Sequence, residues 1–202
     1  MIANPQLQIV KVGGSLLSSP ETPDRFRLWL KSQTDHQNIL IAGGGARVDA
    51  VRARYQAGQL NECESHWQAI NSMSDNAHRL QEWLDVPMLE RIEAVHMCST
   101  RNLVFDVEPW MRSRNDFPIS WSLTSDSIAA ALATHLKATC LTLLKSCLPP
   151  SDSESLYELS QTTYVDQHFH RYASPLACVR MIDLTTCTGD DPRSLPAVYF
   201  VS

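Results

Sequence analysis

Residues 7–15 have the sequence LQIVKVGGS, an apolar run that ends in two glycines and a serine. A short apolar run bounded by glycine is typical of a buried strand in a parallel sheet. Residues 38–45, NILIAGGG, repeat the arrangement with three glycines. Glycines at the carboxyl end of a strand let backbone N–H groups approach a ligand without a Cβ in between. A helix that begins just beyond them adds unsatisfied N–H groups and a positive dipole end. The two stretches therefore predict two anion-binding loops at one sheet edge.

The rest of the chain alternates between predicted strands and predicted helices. We expect helices over residues 24–31, 46–55, 61–84 and 125–136, with a short helix at the start of the polar segment 151–160. We expect strands over residues 94–97, 103–105, 140–144, 179–184 and 197–201. This alternation predicts an α/β protein, a three-layer αβα sandwich with a mainly parallel central sheet. No repeat or linker interrupts residues 1–202, so we expect a single domain.

The composition of the chain argues against nucleic acid and membranes as binding partners. The chain has 202 residues, of which 44% are hydrophobic and 19% charged, as in an ordinary globular domain. Its net charge is −5, and no run of Lys and Arg could neutralise a nucleic-acid backbone. No apolar stretch approaches the roughly 20 residues of a membrane helix. The first residues lack the pattern of a signal peptide, so we expect a cytoplasmic protein without a nucleic-acid or membrane partner.

The six cysteines are scattered and form no C-x-x-C pair. In a reducing compartment such residues are mostly small buried hydrophobic side chains. Cys63 and His66, or His168 and His170, have spacings that a metal could use, but no further ligands complete a tetrahedral set. We therefore predict no metal site formed by the protein alone.

Two further motifs accompany the glycine loops. Residues 121–127, WSLTSDS, precede a predicted helix, where Thr124 or Ser125 would be a good N-cap and Asp126 would suit the helix dipole. Lys145 and Ser146 directly follow the predicted strand 140–144. Neither glycine loop matches a P-loop or a dinucleotide-binding fingerprint, which disfavours a generic Rossmann enzyme.

Taken in order, KVGGSLL (11–17), IAGGG (41–45), TSDSIAAALA (124–133) and LTLLKS (141–146) resemble the amino acid kinase family, which includes acetylglutamate, aspartate, uridylate and isopentenyl phosphate kinases. The resemblance covers about residues 7–146. It implies the αβα fold, and it implies that Lys11 and Lys145 are catalytic and contact the transferred phosphoryl group while Asp126 positions them. It further implies ATP and Mg²⁺ as cofactors and a homo-oligomeric assembly. The nucleotide phosphates would be bound by Gly13, Gly14, Ser15 and Ser146, and the acceptor by Gly43, Gly44, Gly45, Thr124 and Ser125.

The expected activity is transfer of the γ-phosphoryl group of ATP to a small phosphomonoester. Residues 121–130 are most similar to the methanofuran-biosynthesis branch of the family, which implies an aminomethylfuran monophosphate as acceptor. Two alternatives stay open. A carboxylate kinase would need an arginine for the α-carboxylate, and Arg47, Arg52 and Arg54 could supply one. A non-catalytic nucleotide-binding or assembly protein is the other.

The second alternative arises from residues 147–174. Kinases of this family commonly follow the second lysine strand with an Asp-Gly segment that helps hold the nucleotide, whereas this chain continues as CLPPSD. Asp166, His168, His170 and Arg171 could offer substitute contacts to adenine. We expect instead that they belong to a polar, solvated helix.

Overall fold

The computed structural model describes residues 6–151, 153–187 and 195–201. Within these residues, seven strands form one sheet. In chain order they are β1 (Gln6–Val12), β2 (His36–Ala42), β3 (Met88–Leu89), β4 (Asn102–Phe105), β5 (Cys140–Lys145), β6 (Cys178–Asp183) and β7 (Ala197–Val201). They lie side by side in the order β3-β4-β2-β1-β5-β6-β7. All neighbouring pairs are parallel except β6 and β7, which confirms the predicted mainly parallel sheet.

Helices cover both faces of this sheet. They are α1 (Gly14–Leu17), α2 (Thr22–Ser32), α3 (Gly45–Gln56), α4 (Glu62–Leu84), α5 (Ile92–Met97), α6 (Val107–Arg112), α7 (Ser125–His135), α8 (Leu156–Ser160) and α9 (Phe169–Ala173). A single 3₁₀ turn, Leu184–Thr186, follows β6. In the described part of the chain, no helix is long and apolar enough to cross a membrane.

Successive strand residues point to opposite faces of the sheet, and this alternation builds two separate cores. Ile9 of β1 packs in one core with the buried residues of α7, whereas its neighbour Val10 packs in the other core with Trp29 of α2. The long helix α4 contributes to both cores, with Ile70 on one side and Leu80 on the other. The predicted three-layer αβα sandwich is thereby confirmed.

The same alternation places two lysines on one face. Lys11 of β1 lies opposite Leu143 of β5, and Lys145 lies two residues further along β5. Because the side-chain period of a strand is two residues, Lys11, Leu143 and Lys145 all point toward the face covered by α7. The lysines meet at the carboxyl end of the central strands, which is where open parallel sheets bind ligands.

Several local predictions were wrong. Residues 94–97 form part of helix α5 rather than a strand, and only Val95 of this helix is buried. Helix α6 and the two-residue strand β3 had not been predicted. The sheet therefore obtains its outer strand from residues 88–89, beside β4.

The segment after β5 also differs from the expectation of a polar, solvated helix. It contains the two short helices α8 and α9, of which α9 packs against α7. Leu159, Phe169 and Ala173 are fully buried. The apolar residues of this segment therefore form part of the hydrophobic core.

Candidate active site

Asp126 forms ion pairs with two lysines near the carboxyl ends of the central strands, Lys11 of β1 and Lys145 of β5. Lys11 Nζ lies 2.7 Å from Asp126 Oδ1, and Lys145 Nζ lies 2.9 Å from Asp126 Oδ2. Lys11 and Asp126 are only 4% and 5% exposed. Lys145 also donates a hydrogen bond to Oδ2, so each carboxylate oxygen faces one lysine. The three side chains form a compact triad with one net positive charge.

The charges of the triad are mutually dependent. Burial acts to raise the pKa of Asp126, but the positive charges of Lys11 and Lys145 outweigh it and lower this pKa to about 2. Burial lowers the pKa of Lys11, and the charge of Lys145 lowers it further, while Asp126 opposes both. Removing Asp126 would leave two ammonium groups facing each other in a poorly hydrated site. The carboxylate is thus what allows both lysines to remain close together.

Asp126 owes its position to the first turn of α7. Thr124 is the N-cap and accepts a hydrogen bond from the backbone N–H of Asp126, at 3.4 Å. Asp166 binds the same turn from outside, because its carboxylate accepts hydrogen bonds from Thr124 Oγ1 at 2.7 Å and from Ser127 N at 3.1 Å. Ser127 Oγ also donates to Asp166. The N-terminus of α7 is the positive end of the helix dipole, where an acidic group is favoured. Through these hydrogen bonds, Asp166 attaches the 163–166 segment to the helix that carries Asp126.

Tyr164 covers Lys145, a contact that sequence reasoning missed. The Lys145 ammonium donates a hydrogen bond to the backbone carbonyl of Tyr164 and lies 4.3 Å from the centre of its ring. The Tyr164 hydroxyl donates to the backbone carbonyl of Cys147, at 2.9 Å. A cation over a tyrosine ring is stabilised electrostatically, so Tyr164 both orients Lys145 and joins the two ends of the 147–164 segment.

The other polar residues of this segment have structural partners. His168 Nε2 lies 2.9 Å from Ser122 Oγ, and His170 Nδ1 lies 3.2 Å from Ser160 Oγ. Asp166 is occupied by α7, as described above. Asp166, His168 and His170 thus take part in contacts within the protein, whereas Arg171 is exposed.

The two glycine loops, which follow β1 and β2, pack against each other so closely that side chains would not fit between them. The N–H groups of Gly13 and Gly43 donate to Leu144 O and Val12 O, at 2.8 and 2.9 Å, so both are committed to the sheet. A Cβ on Gly14 would lie 2.4 Å from the backbone nitrogen of Gly45. Asn76 donates from its side chain to the carbonyls of Gly43 and Gly44, at 2.8 and 3.0 Å. The expectation that the glycines simply clear space for a ligand is thus incomplete, because close packing between the two loops already requires them.

Two cavities meet at the triad. One, of about 450 Å³, is lined by Gly44, Gly45, Thr124, Ser125 and Asp126, among others. The second, of about 510 Å³, is lined by Lys11, Gly13, Ser146 and residues 147–150. Both share Gly14, Ser15, Lys145, Thr163 and Tyr164 as lining residues. We call them the α7 cavity and the β5 cavity, respectively.

The predicted site residues divide between these cavities. The nucleotide-phosphate set lines the β5 cavity, where Ser15 Oγ and Ser146 Oγ are 3.2 Å apart. Four of the five residues predicted to bind the acceptor line the α7 cavity. Gly43 is the exception: it is buried and lines neither of these two cavities.

An aromatic pair stands near the outer part of the α7 cavity. The rings of Tyr55 and Trp121 stack with their centres 5.8 Å apart, and the Arg52 guanidinium lies 5.7 Å from the Trp121 ring centre. Trp121 and Arg52 line the cavity. In the sequence Trp121 is only the first residue of the WSLTSDS motif, and no local pattern links it to Tyr55 on α3.

The three arginines considered for a carboxylate acceptor already have partners. Arg47 forms an ion pair with Asp75, and Arg52 forms one with Asp49 at 2.8 Å. Arg54 donates to Gln68 Oε1 at 3.0 Å. Only Arg52 lines the α7 cavity.

The site has the elements needed to hold two anions end to end. Its cationic triad lies where two cavities meet, and short loops with hydroxyl groups flank it. The mainly parallel αβα architecture is the amino acid kinase fold, as the comparison with solved structures shows.

Solved structures with this fold include nucleotide kinases. The chain superimposes on the UMP kinase from Bacillus anthracis with a TM-score of 0.67 and 13% identity, covering 96% of this chain and 100% of that one. The UMP kinase from Ureaplasma parvum gives a TM-score of 0.65 and 12% identity over 91% and 92% of the two chains. The uridylate kinase from Archaeoglobus fulgidus gives 0.62 and 17% over 87% and 88%. No protein-family model and no curated protein matches the sequence.

Proposed function

We propose that this protein is an ATP-dependent phosphotransferase that transfers the γ-phosphoryl group to a small phosphomonoester. One observation carries the proposal: the buried carboxylate of Asp126 holds Lys11 and Lys145 where the α7 and β5 cavities meet. For a phosphoryl group that moves between two in-line oxygens, the protein has mainly to position the reactants and to supply positive charge along the path. The triad supplies such charge from two different strands.

The proposed mechanism is electrostatic. The Lys11 and Lys145 ammonium groups stabilise the negative charge that spreads over the equatorial oxygens in the transition state. Asp126 fixes both ammonium groups before the substrates arrive, so little reorganisation accompanies the reaction. No side chain has to act as a nucleophile, because the acceptor oxygen attacks the phosphorus directly.

The assignment of substrates to cavities follows from their linings. The β5 cavity would hold ATP, with Ser15 and Ser146 hydroxyls donating to its phosphates and residues 147–150 beside its base. The α7 cavity would hold the acceptor, with Gly44, Gly45 and the first turn of α7 around its phosphate. Tyr164, which lines both, would separate the donor and the acceptor.

The residues present fit magnesium that arrives on the nucleotide. Among the described residues, no three His, Cys, Asp or Glu side chains cluster as a metal cage would require. Mg²⁺ commonly binds substrate phosphates, keeps several waters and needs few protein ligands. When bound, it would neutralise part of the phosphate charge, complementing the triad.

For the acceptor we propose an aminomethylfuran monophosphate, which would become a diphosphate. The support is the similarity of residues 121–130 to the methanofuran-biosynthesis branch, together with the aromatic Trp121 on the wall of the α7 cavity. An aromatic ring that carries a phosphate is the kind of ligand such a wall accommodates. Uridine monophosphate has the same two features, and it is the comparison acceptor because similar structures are UMP kinases.

The remaining parts of the proposal are a single domain over residues 1–202, a cytoplasmic location and a homo-oligomeric assembly. The similar UMP kinase structures support the shared fold, and these three properties are part of the proposal. Size-exclusion chromatography with light scattering measures the oligomeric state directly.

An acceptor panel tests the proposal. The protein is incubated with magnesium and ATP and with aminomethylfuran monophosphate, uridine monophosphate, other phosphomonoesters, acetylglutamate or aspartate, and the products are identified by phosphorus NMR. We expect a diphosphate signal with a phosphomonoester. An acyl phosphate would establish the carboxylate-kinase alternative, and ATP left intact with every acceptor would overturn the proposed activity.

A further inference from the structure

Two free cysteines face each other at the end of the sheet opposite the triad. Cys140 begins β5 and Cys178 begins β6, the adjacent parallel strand. The Cys140 thiol donates a hydrogen bond to Cys178 Sγ, with the two sulfur atoms 3.2 Å apart. The residues are 38 positions apart in the sequence, so only the register of β5 against β6 brings them together.

The backbone at this place suits a covalent link. Neighbouring strands lie about 4.8 Å apart, which falls within the range of about 4.4–6.8 Å between the Cα atoms of disulfide-bonded cysteines. The sulfur atoms would have to approach by about 1 Å to reach the S–S bond length of about 2.05 Å. Rotation about the two Cα–Cβ bonds can supply most of a movement of this size.

The two thiols differ in access. Cys178 is partly exposed, whereas Cys140 is buried. Burial and the neighbouring Cys178 thiol raise the pKa of Cys140. Cys178 is therefore the thiol that meets an oxidant first, and Cys140 is placed to react with the product.

We propose that Cys140 and Cys178 form an oxidant-responsive thiol pair that closes to an intrachain disulfide. In the first step the Cys178 thiolate attacks a peroxide oxygen, an S–O bond forms and the O–O bond breaks; the hydroxide or alkoxide that leaves takes up the proton lost by the thiol, which gives a sulfenic acid and water or an alcohol. In the second step the Cys140 sulfur attacks the sulfenic sulfur, an S–S bond forms, and water leaves with the Cys140 proton. Both thiols are oxidised by a total of two electrons, and the peroxide is reduced by two.

The position of the pair gives the disulfide a structural consequence. The chain between the two cysteines contains Lys145, Tyr164 and Asp166, and it forms walls of both cavities. A link between its two ends restricts that segment in the unfolded and partly opened states. The oxidised protein should therefore hold the 146–177 segment against the sheet more firmly than the reduced protein does.

No other cysteine competes for either partner. Of the remaining four, Cys63 and Cys147 are exposed, Cys98 contacts Thr100 Oγ1, and Cys187 donates to the carbonyl of Arg25. In the described part of the chain, Cys140 and Cys178 are the one pair whose sulfur atoms are in contact.

Trypsin separates the two cysteines cleanly, which makes the test direct. Cleavage after Lys137, Lys145, Arg171 and Arg180 places Cys140 in peptide 138–145 and Cys178 in peptide 172–180, each as its sole cysteine. The reduced full-length protein is treated with hydrogen peroxide under native conditions, blocked with N-ethylmaleimide, digested and measured by mass spectrometry. We expect these two peptides as one linked species, two hydrogens lighter than their sum, which reductant splits.

Variants then distinguish the thiol that reacts with peroxide, Cys178, from the thiol that closes the disulfide, Cys140. Cys140→Ser should leave a sulfenic acid on Cys178 that dimedone captures, and Cys178→Ser should abolish the linked species. Cys187→Ser removes a buried cysteine elsewhere and should leave the linkage unchanged. If Cys140→Ser folds poorly, Cys140→Ala serves the same purpose.

Two results would overturn the proposal. One is that both thiols remain fully available to N-ethylmaleimide after denaturation of the peroxide-treated protein. The other is that disulfides form only between copies, through Cys63 or Cys147. We also expect oxidation to raise the melting temperature by several degrees and to slow cleavage at the exposed Arg171. A lower melting temperature would contradict the stabilising link.

Discussion

Gly14 and Gly45 are in backbone contact, because a Cβ on Gly14 would lie only 2.4 Å from the Gly45 nitrogen and 2.7 Å from its Cα. These glycines belong to two different strand ends, β1 and β2, that are paired in parallel over Gln6–Val12. The contact joins the proposed donor and acceptor loops into one rigid unit beside Lys145. It explains why both loops are glycine-rich even before any ligand is considered.

Gly45→Ala should weaken acceptor binding as well as the fold. Gly45 has φ +64°, and an added Cβ would lie 3.2 Å from Gly14 O and 3.3 Å from Asn76 Nδ2. The left-handed conformation alone should cost about 1–2 kcal/mol in the free energy of unfolding, and the contacts should move the loop. Urea unfolding and calorimetric titration with the phosphomonoester acceptor measure the two effects.

Gly58→Ala is the matched control for this prediction. Gly58 has φ +69°, but an added Cβ would have no atom within 4 Å. It should lose a similar amount of stability and keep its affinity for the acceptor. Equal acceptor affinity in the two variants would show that the Gly45 loop takes no part in binding.

The central strands could be predicted from the sequence because each one is marked by a short stretch of consecutive residues. Apolar runs that end in glycine indicated β1 and β2, and the two-residue period of a strand dictates that Lys11 and Lys145 share a face once the register is known. Residues 94–97 were assigned wrongly because a short apolar run is compatible with a strand or a helix. In the structure these residues are helical, and Val95 packs into the core from helix α5.

Other features of the site had no local signal. Tyr164 reaches Lys145 across 19 residues, and Asp166 reaches Thr124 across 42, so only the packing of α8 and α9 brings them to the site. The run of three glycines does not indicate which residue adopts a positive φ: Gly45 does, whereas Gly44 has φ −73°. A Cβ on Gly44 would instead collide with Val48, 2.1 Å away.

Lys11→Ala and Lys145→Ala should each lower turnover far more than they weaken ATP binding. Both ammonium groups face charge that develops in the transition state, and the loss of one such group typically costs about 10²–10³ in kcat. Single-turnover kinetics and ATP titration separate the two quantities. Lys31→Ala, an exposed lysine on α2, is the control. Near-normal turnover in either site variant would remove that lysine from the proposed mechanism.

Asp126→Asn should remove a specific acid-sensitive part of the stability. Because the pKa of Asp126 is held at about 2 in the folded protein, below the value of about 3.9 in an unfolded chain, its contribution is present above about pH 4. It is lost as the pH falls toward about 2, and it amounts to about 2–3 kcal/mol. Urea unfolding of both proteins between about pH 2 and pH 6 measures it.

In that experiment the difference between wild type and Asp126→Asn is the informative quantity, since other carboxylates titrate in both. The difference should be largest at pH 6 and shrink on acidification. Asp24 lies on the exposed surface of α2, so Asp24→Asn should have almost the same free energy of unfolding as the wild type at both ends of this pH range. A gap between wild type and Asp126→Asn that stays constant with pH would contradict a charged Asp126 between two lysines.

Tyr164→Phe and Tyr164→Leu should separate the two contacts of this side chain. Phenylalanine keeps a ring over Lys145 and loses only the hydrogen bond to Cys147 O, so stability should fall by about 1 kcal/mol while kcat changes little. Leucine also removes the ring, so Lys145 should lose a preferred orientation and kcat should fall about tenfold or more with a smaller change in ATP affinity. Steady-state kinetics on the most active acceptor, together with thermal melting, distinguish the two variants. If Tyr164→Leu retained the kcat of Tyr164→Phe, the ring would be a wall of the cavities and would have no part in positioning Lys145.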